Sequence, residues 1–349
     1  MDFSSDTSAP AHPAVIEALT AANVGQAKSY GADLVTERVR LALAERFESD
    51  LAIWLVSSGT AANALGLSLL CPPTGAILCH EEAHIELDER GAPEFYTGGG
   101  KLRLLPGEEG KVDLGALQEA VSAHDPDFFH GTPAAALSLT NLTECGTAYR
   151  PEETRERTEL ARSIGCGIHL DGARIGNALV SSGASLADLT WRAGVDVVTL
   201  GLTKLGAMGV EAIVLLGPAR ERFDELRLRA KRAGQVPAKL RYLAAQAEAM
   251  LSDDLWLDLA GRANARAQSL ARAFEAAGIA LRYPVDGNEV LPQLTSEQAA
   301  SLSEAGALFY PWPGGCYRFV CSWTTAESEV DALASCLQKL GKGKPSCSL

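Results

Sequence analysis

The sequence lacks any apolar run that approaches the roughly 20 residues needed to span a bilayer. Its first residues, MDFSSDTSAPAHP, contain neither the basic segment nor the apolar core of a secretory leader. We therefore expect a cytoplasmic protein that does not enter a membrane.

Positive charge is also scarce. The net charge is −13, and the local basic cluster RLRAKRAG, at 227–234, lies inside a helical pattern. Because nucleic-acid binding depends on neutralising phosphates, this composition argues against a nucleic-acid partner. With 47% hydrophobic and 21% charged residues in 349, the chain has the composition of a globular protein with a substantial core.

The cysteines form no C-x-x-C pair, and no histidine stands at a metal-binding distance from them in the sequence. Most have apolar neighbours, which predicts reduced thiols in the core and no metal site. The eight cysteines are Cys71, Cys79, Cys145, Cys166, Cys316, Cys321, Cys336 and Cys347.

Short apolar runs alternate with helical patterns from about residue 50 to 217, which predicts an α/β domain with a mostly parallel sheet. The pattern then becomes almost purely helical to about residue 275, and the remainder mixes extended segments with two helices. We expect an N-terminal arm at 1–20, a large domain at 21–250 and a small α+β domain at 251–349.

Lys204 has an unusual sequence environment. Between residues 197 and 217 the only charged residues are Lys204 and Glu211, and the rest are apolar, small or hydroxylated. Burial there would favour the neutral amine that a Schiff-base lysine requires. A lysine that extends its amine to water from a strand end is the alternative, and for this segment taken alone it is favoured.

The segment IHLDGARIGNALV, at 168–180, predicts a strand that ends near Asp171 and leads into a helix. Ligands of open α/β sheets bind at the carboxyl ends of the strands. A carboxylate there can keep the ring nitrogen of a pyridine cofactor protonated. Alternatively, Asp171 only caps the helix that follows.

Two further segments offer groups that could bind a ligand. In SSGTAANAL, at 57–65, a strand leads into a helix whose first N–H groups can hold a phosphate or can simply be capped. In EEAHIELDERG, His84 could stack on an aromatic cofactor or make an ordinary polar contact.

Taken in order, these segments resemble the aspartate-aminotransferase-like, fold type I enzymes that use pyridoxal phosphate. Over about residues 3–335 the sequence is similar to the threonine aldolases of the β-eliminating lyase group. SSGTAAN resembles the family's phosphate turn, EEAHIELDERGAPE carries its histidine, and HLDGARIGNALV is close to H-DGAR--NA, the most specific of these motifs. KRAGQVPAKLRYLAAQ and GVEAIVLL are most similar to the branch of low-specificity L-threonine and phenylserine aldolases.

The resemblance implies a fold and a set of cofactor contacts. The fold is a large domain with a mostly parallel seven-stranded sheet between helices, and a small α+β C-terminal domain. Lys204 would form a Schiff base with pyridoxal 5'-phosphate and Asp171 would pair with the pyridine nitrogen. His84 would stack on the ring and help to move the substrate hydroxyl proton. The phosphate would be bound by Ser58, Gly59 and Thr60.

The resemblance also implies further site residues. Arg174, next to the cofactor, and Arg318 match arginines that hold the substrate carboxylate, with Ser5 as a possible helper. His130 corresponds to a second active-site histidine that could move protons. Arg229 lies near a family arginine on the phosphate side.

The implied assembly is a homodimer or homotetramer with shared active sites, because Tyr30 and Gly31 resemble a loop that reaches a neighbouring subunit's site and contributes to substrate binding. The implied reaction is the reversible cleavage of β-hydroxy-α-amino acids to glycine and an aldehyde. L-Threonine and L-allo-threonine are the expected substrates, with phenylserine as a candidate.

The sequence departs from the close branch at two positions near the site. Leu205 follows the lysine where Asn is usual, and Asn141 stands where Gln is common. Both bear on substrate preference rather than on the cofactor. Two alternatives use the same residues, a β-eliminating lyase and an amino-acid racemase, because fold and cofactor do not determine the reaction. A non-catalytic homologue would be expected to lack Lys204 or Asp171.

Overall fold

The structure is a computed structural model that describes residues 1–341. Residues 342–349, with Cys347 and the end of the predicted small domain, lie outside the described residues. Ten strands are described: β1 Ala52–Val56, β2 Ala76–His80, β3 Lys101–Leu105, β4 Ala134–Thr140, β5 Gly167–Gly172, β6 Val197–Gly201, β7 Glu211–Leu215, β8 Glu289–Val290, β9 Tyr310–Trp312 and β10 Cys316–Val320.

The helices surround these strands. They are α1 Pro13–Ala22, α2 Leu34–Phe47, α3 Gly59–Leu70, α4 His84–Leu87, α5 Ala92–Thr97, α6 Leu114–Ser122, α7 Pro151–Arg162, α8 Ile175–Ser182, α9 Leu186–Leu189, α10 Phe223–Arg232, α11 Arg241–Leu251, α12 Leu255–Ala276, α13 Ser296–Glu304 and α14 Glu327–Gly341. Short 3₁₀ turns include Asp6–Ser8 and Thr203–Leu205.

The central sheet has seven strands in the order β1-β7-β6-β5-β4-β2-β3. Strands β2 to β6 pair in parallel, whereas β7 runs antiparallel to both of its neighbours, β1 and β6. The predicted mostly parallel seven-stranded sheet is therefore confirmed. Because β7 runs the opposite way, its first residue lies at the same edge of the sheet as the carboxyl ends of the other strands.

The inner strands of the central sheet are buried on both faces, whereas the edge strand β3 is largely exposed. Successive side chains of a strand point to opposite faces. In β1, Ile53 and Leu55 pack in one hydrophobic cluster, whereas Trp54 and Val56 pack in another. Strands buried on both sides are expected to be nearly continuous apolar runs, as these are.

The C-terminal part has its own small sheet and core. Strands β8, β10 and β9 form an antiparallel sheet in that order. Phe319 of this sheet packs against Phe274 of α12, with ring centroids 5.1 Å apart, and against Phe3 of the N-terminus. The prediction that the C-terminal part forms a small α+β domain is therefore confirmed.

The predicted domain limits stay a prediction. Helix α1 crosses the limit at residue 20, and helix α12 begins just after the limit at residue 250. The first half of α12 packs in the large core and its second half packs in the small one. The N-terminal arm also bonds to both parts, because the Phe3 N–H donates to the Leu308 carbonyl at 2.9 Å and the His12 N–H to the Gly206 carbonyl at 2.8 Å.

None of the helices within residues 1–341 combines the length and the apolar character that a membrane crossing requires.

Candidate active site

A cavity of about 220 Å³ lies at the edge of the central sheet where β1, β4, β5 and β6 end and β7 begins. Larger cavities, of about 340 to 540 Å³, lie elsewhere, among them one of about 520 Å³ around Tyr30 and one of about 540 Å³ around Lys101. The smaller cavity is lined by Thr7, Ser57, Ser58, Gly59, Thr60, Asn63, His84, Thr140, Leu142, Glu144, Asp171, Ala173, Arg174, Thr203, Lys204 and Glu211.

Lys204 lies on the 3₁₀ turn between β6 and β7 and is half-buried. The connection between the two strands is held at both ends. At its start, the Leu202 N–H donates to Oε2 of Glu211 at 2.7 Å. Near its end, Oε1 of Gln246 accepts the N–H groups of Met208 and Gly209, each at 3.0 Å.

Asp171 is buried near the end of β5, where open α/β sheets place ligands. Its carboxylate accepts Nδ2 of Asn63 at 2.7 Å and the N–H of Ala173 at 3.0 Å. The same amide nitrogen of Asn63 donates to Glu89 at 2.8 Å. The carboxylate is therefore held in one orientation by helix α3 and by the turn after β5.

His84 completes this network. Its Nδ1 lies 2.8 Å from the buried carboxylate of Glu89. Burial lowers the pKa of His84, but the hydrogen bond to Glu89 and the charges of Glu144 and Asp171 outweigh it, and the net pKa is raised.

Ligand-type atoms of His84, Glu89 and Asp171 lie within 4.8 Å of one another. Hydrogen bonds through Asn63 connect these side chains. The expectation that the protein binds no metal stays a prediction.

The start of α3 offers an open, donor-rich surface to the cavity. Oγ of Ser58 caps the helix by accepting the Ala61 N–H at 3.2 Å. A Cβ added to Gly59 would meet no atom within 4 Å, so there is free space above this turn. The first N–H groups of a helix have no acceptor within the helix, and together with the hydroxyls of Ser57 and Thr60 they can bind an anion.

Arg174 follows β5 and is buried on the cavity wall. It forms an ion pair with Asp6 at 2.7 Å and lies 3.5 Å from Glu289. Nε of Arg318 donates to the same oxygen of Glu289 at 2.9 Å, and its guanidinium lies 4.9 Å from the centre of the Trp312 ring. The two predicted carboxylate-binding arginines are therefore joined through one buried carboxylate.

Ser5 lies beside this network, not on the cavity wall. Its Oγ accepts the Thr7 N–H at 3.1 Å and lies 2.7 Å from the Thr7 hydroxyl. Thr7 itself lines the cavity.

Besides Ser5 and Arg318, which do not line this cavity, three further predicted residues do not reach it within one chain. His130 lies on an exposed loop before β4, at the opposite end of that strand from the cavity, and its ring contacts Phe129. Arg229 pairs with Glu225 of its own helix at 2.7 Å. Tyr30 lines one of the larger cavities. The roles that the resemblance implies for these residues stay predictions.

Both departures from the close branch are structural neighbours of the cavity. The Asn141 side chain bonds to the backbone of Tyr149 as donor at 3.1 Å and as acceptor at 3.3 Å. Leu205 is buried, and a Cβ on Gly176 would lie 2.7 Å from its Cδ1. Leu205 therefore packs against helix α8 rather than facing the ligand side.

The sequence did not lead us to predict several residues of the site. Asn63 stands one helical turn after Gly59 within the phosphate-type segment, and Glu211 is an acid in an apolar strand, so the sequence held a signal for both. Asp6 and Glu289 come from opposite ends of the chain and meet Arg174 only in the folded protein.

The chain is similar to several known proteins. The family model of the beta-eliminating lyases matches residues 2–297. The chain is 38% identical to a low specificity L-threonine aldolase of Pseudomonas aeruginosa, over 95% of each chain. A Leishmania major threonine aldolase structure is similar with a TM-score of 0.90 and 29% identity, covering 97% of this chain and 99% of that one. A Sphingomonas wittichii serine palmitoyltransferase, at 17% identity and a TM-score of 0.74 over 98% of this chain and 87% of that one, shares the fold.

Proposed function

The chain belongs to the beta-eliminating lyase family, and on that premise we propose that it is a pyridoxal-phosphate-dependent aldolase. Its substrates are β-hydroxy-α-amino acids, L-threonine and L-allo-threonine first, with phenylserine as a further substrate. The products are glycine and an aldehyde, and the reaction is reversible. The observation that carries the proposal is the meeting of Lys204, Asp171 and the start of α3 around one cavity.

The residues around this cavity fit the cofactor. The amine of Lys204 would hold its aldehyde carbon and Asp171 its ring nitrogen, and His84 would lie against the ring. The free space above Gly59 and the donors around it would take the phosphate. Bound there, pyridoxal phosphate supplies an electron sink for the electron pair released when the Cα–Cβ bond breaks.

The substrate carboxylate would be bound by Arg174 and Arg318, with Ser5 beside them. Arginine suits this task because its planar guanidinium can donate two parallel hydrogen bonds to a carboxylate. Glu289 holds both guanidinium groups close to each other. Fixing the carboxylate fixes the orientation of the scissile bond, which is a large part of the rate enhancement in such reactions.

The substrate hydroxyl proton would pass to His84. Because the carboxylate of Glu89 can only accept, Nδ1 of His84 donates to it when Glu89 is ionised. Nε2 of the neutral ring is then free to take a proton. The raised pKa of His84 favours this uptake near neutral pH.

The assembly and location belong to the same proposal. Tyr30 and Gly31 would extend to the site of a second copy in a homodimer or homotetramer. Tyr30 lies outside this chain's own cavity, which supports that assignment. The protein would act in the cytoplasm.

A substrate panel tests the proposal. The holoenzyme is given L-threonine, L-allo-threonine, their D-forms and phenylserine, and glycine and the aldehyde are measured. Glycine and acetaldehyde from L-threonine support an aldolase. Pyruvate and ammonia from serine without aldehyde formation would identify a β-eliminating lyase, and inversion at Cα alone would identify a racemase. A protein that stays colourless after addition of pyridoxal phosphate would contradict the whole proposal.

A further inference from the structure

Glu211 is an acid in a place where the fold calls for an apolar residue. It is the first residue of β7, a strand inside the sheet that is buried over its whole length. The side chain of Glu211 is itself buried. A buried carboxyl group costs free energy unless hydrogen bonds compensate it, so its presence requires a reason.

The contacts of Glu211 connect it to the turn of Lys204. Its Oε2 accepts the Leu202 N–H at 2.7 Å, immediately before the 3₁₀ turn Thr203–Leu205. Glu211 lines the cavity together with Thr203 and Lys204. The carboxyl group therefore holds the start of the turn that presents the amine.

The sheet register places Glu211 next to the start of α3 as well. On one side it pairs with Gly201 of β6, and on the other side with Val56, the last residue of β1. Residues 57–60, which would take the phosphate, follow Val56 directly. The carboxyl group thus lies between the lysine turn and the phosphate turn.

The surroundings of Glu211 favour its neutral form. Burial raises its pKa to about 7, although hydrogen bonds from Thr203 and Leu202 and the charge of Lys204 act in the opposite direction. The first turn of α3 carries no charged side chain. Besides Lys204, the other titratable groups on the cavity wall are His84, Glu144, Asp171 and Arg174.

A phosphate beside this carboxyl group would shift the protonation equilibrium of Glu211 further towards the neutral form. Two negative groups in a small cavity repel each other, and a protonated carboxyl group avoids that repulsion. A protonated Glu211 can still accept the Leu202 N–H at Oε2, while Oε1 carries the proton and can donate it in a hydrogen bond. The hydrogen bond that fixes the start of the Lys204 turn is therefore present in both protonation states of Glu211.

We propose that Glu211 is a positioning residue that becomes fully protonated, by uptake of up to one proton from solvent, when the cofactor phosphate enters the adjacent turn, and so keeps the turn of Lys204 in place without opposing the phosphate. This inference rests on the proposed function. It makes cofactor affinity depend on pH through a residue that touches neither the substrate nor the scissile bond.

The test counts protons during cofactor binding. The full chain, freed of cofactor, is titrated with pyridoxal phosphate by calorimetry near pH 7.5 in PIPES and in imidazole, whose ionisation enthalpies differ. The variants are Glu211→Gln and Glu221→Gln, the latter an exposed glutamate as matched control. Protons exchanged by the cofactor itself are common to all three proteins, and those exchanged by Lys204 are common to the wild type and Glu221→Gln.

We expect the wild type and Glu221→Gln to take up more protons than Glu211→Gln, by about half a proton or more. Between pH 7 and 8.5 the Kd of the wild type should rise more steeply with pH than that of Glu211→Gln, by up to about tenfold per pH unit. Glutamine resembles the protonated form, so Glu211→Gln should bind at pH 8.5 at least as tightly as the wild type.

Equal proton counts and equal pH slopes in the wild type and Glu211→Gln would overturn the inference while leaving the proposed function intact. Absence of cofactor binding by the wild type would instead overturn both. If Glu211→Gln does not fold, Glu211→Met, of similar size and without charge, must show the same loss of proton uptake, and an unchanged proton count in it would overturn the inference.

Discussion

The guanidinium of Arg174 donates from Nε and Nη2 to the two carboxylate oxygens of Asp6, at 2.7 and 3.2 Å, and both side chains are buried. Burial by itself would raise the pKa of Asp6, but the charges of Arg174 and Lys204 and the hydrogen bonds lower it to about 2. Because Asp6 belongs to the N-terminal arm, this pair ties the arm to the cavity wall. An arginine predicted to hold a substrate carboxylate is thus oriented by a carboxylate of the protein.

Asp6→Asn should destabilise the protein and weaken substrate binding. Breaking a buried ion pair leaves one charge poorly compensated, and we expect the free energy of unfolding at pH 7 to fall by about 3 kcal/mol in urea titrations. KM for the amino acid should rise because Arg174 loses its orientation. Asp2→Asn, an exposed carboxylate of the same arm, is the control.

The Asp6–Arg174 pair should also make the free energy of unfolding depend on pH in the acid range. The pKa of Asp6 is lower in the folded than in the unfolded state, so its stabilising contribution is present above about pH 4 and is lost as pH falls towards 2. The wild type should lose more stability than Asp6→Asn over that range. Equal losses would show that Asp6 is not the group responsible.

His169 should make the free energy of unfolding depend on pH over a higher pH range than Asp6 does. It is buried between Ser138 and Thr199, and burial lowers its pKa to about 4, against a weaker raising effect of Asp171. A lowered pKa gives stability that is present above the unfolded value of about 6.5 and is lost as pH falls through 4. We expect a loss of up to about 3 kcal/mol, measured by urea unfolding at pH 7 and pH 4.

His169→Gln should show a smaller loss between these two pH values, whatever its stability at pH 7. His130→Gln, on the exposed loop, should keep the wild-type dependence. An unchanged dependence in His169→Gln would contradict a buried neutral histidine.

Lys204→Ala should abolish both turnover and the visible colour of the bound cofactor. No other group of the cavity wall offers a primary amine, among the residues that the structure describes there. Absorption spectra and the aldehyde assay check this together, and Lys239→Ala, an exposed lysine, should behave as the wild type. Turnover retained in Lys204→Ala would exclude the assignment.

Arg318→Lys should raise KM more than it lowers kcat. Lysine keeps the charge but loses the planar pair of donors and the stacking on Trp312. The loss of a charge-assisted hydrogen bond, about 1.5–3 kcal/mol, corresponds to roughly a 10- to 150-fold rise in KM. The exposed Arg272→Lys is the matched control, and an unchanged KM in Arg318→Lys would remove Arg318 from substrate recognition.

Much of the fold could be predicted from the sequence, because the relevant forces are local. Apolar runs such as AIWLV and EAIVLL, alternating with helical patterns, specified an α/β domain with a mostly parallel sheet, and the structure confirms it. Segments around Ser58, Asp171 and Lys204 could be found because their motifs and their order along the chain resemble those of a known family, although each one alone left an alternative open. The cavity brings all three together.

The sequence could not show the direction of β7. An apolar run of five residues looks the same in a parallel or an antiparallel strand, and only the sheet places Glu211 beside Val56 and Gly201. The importance of Glu211 follows from that direction. Periodicity likewise carries no information on where a loop such as that of His130 lies relative to a distant cavity.

What the sequence by itself determined is therefore the class of fold and, through its resemblance to a known family, the cofactor and the site residues that stand at strand ends. What only the tertiary structure decided is which polar groups far apart in the chain meet: Asp6 and Glu289 pair with Arg174, and the amide nitrogen of Asn63 donates to both Glu89 and Asp171. The physical reason is that hydrogen bonds and ion pairs act over a few ångströms between side chains. Their partners are selected by packing, which no local pattern in the sequence records.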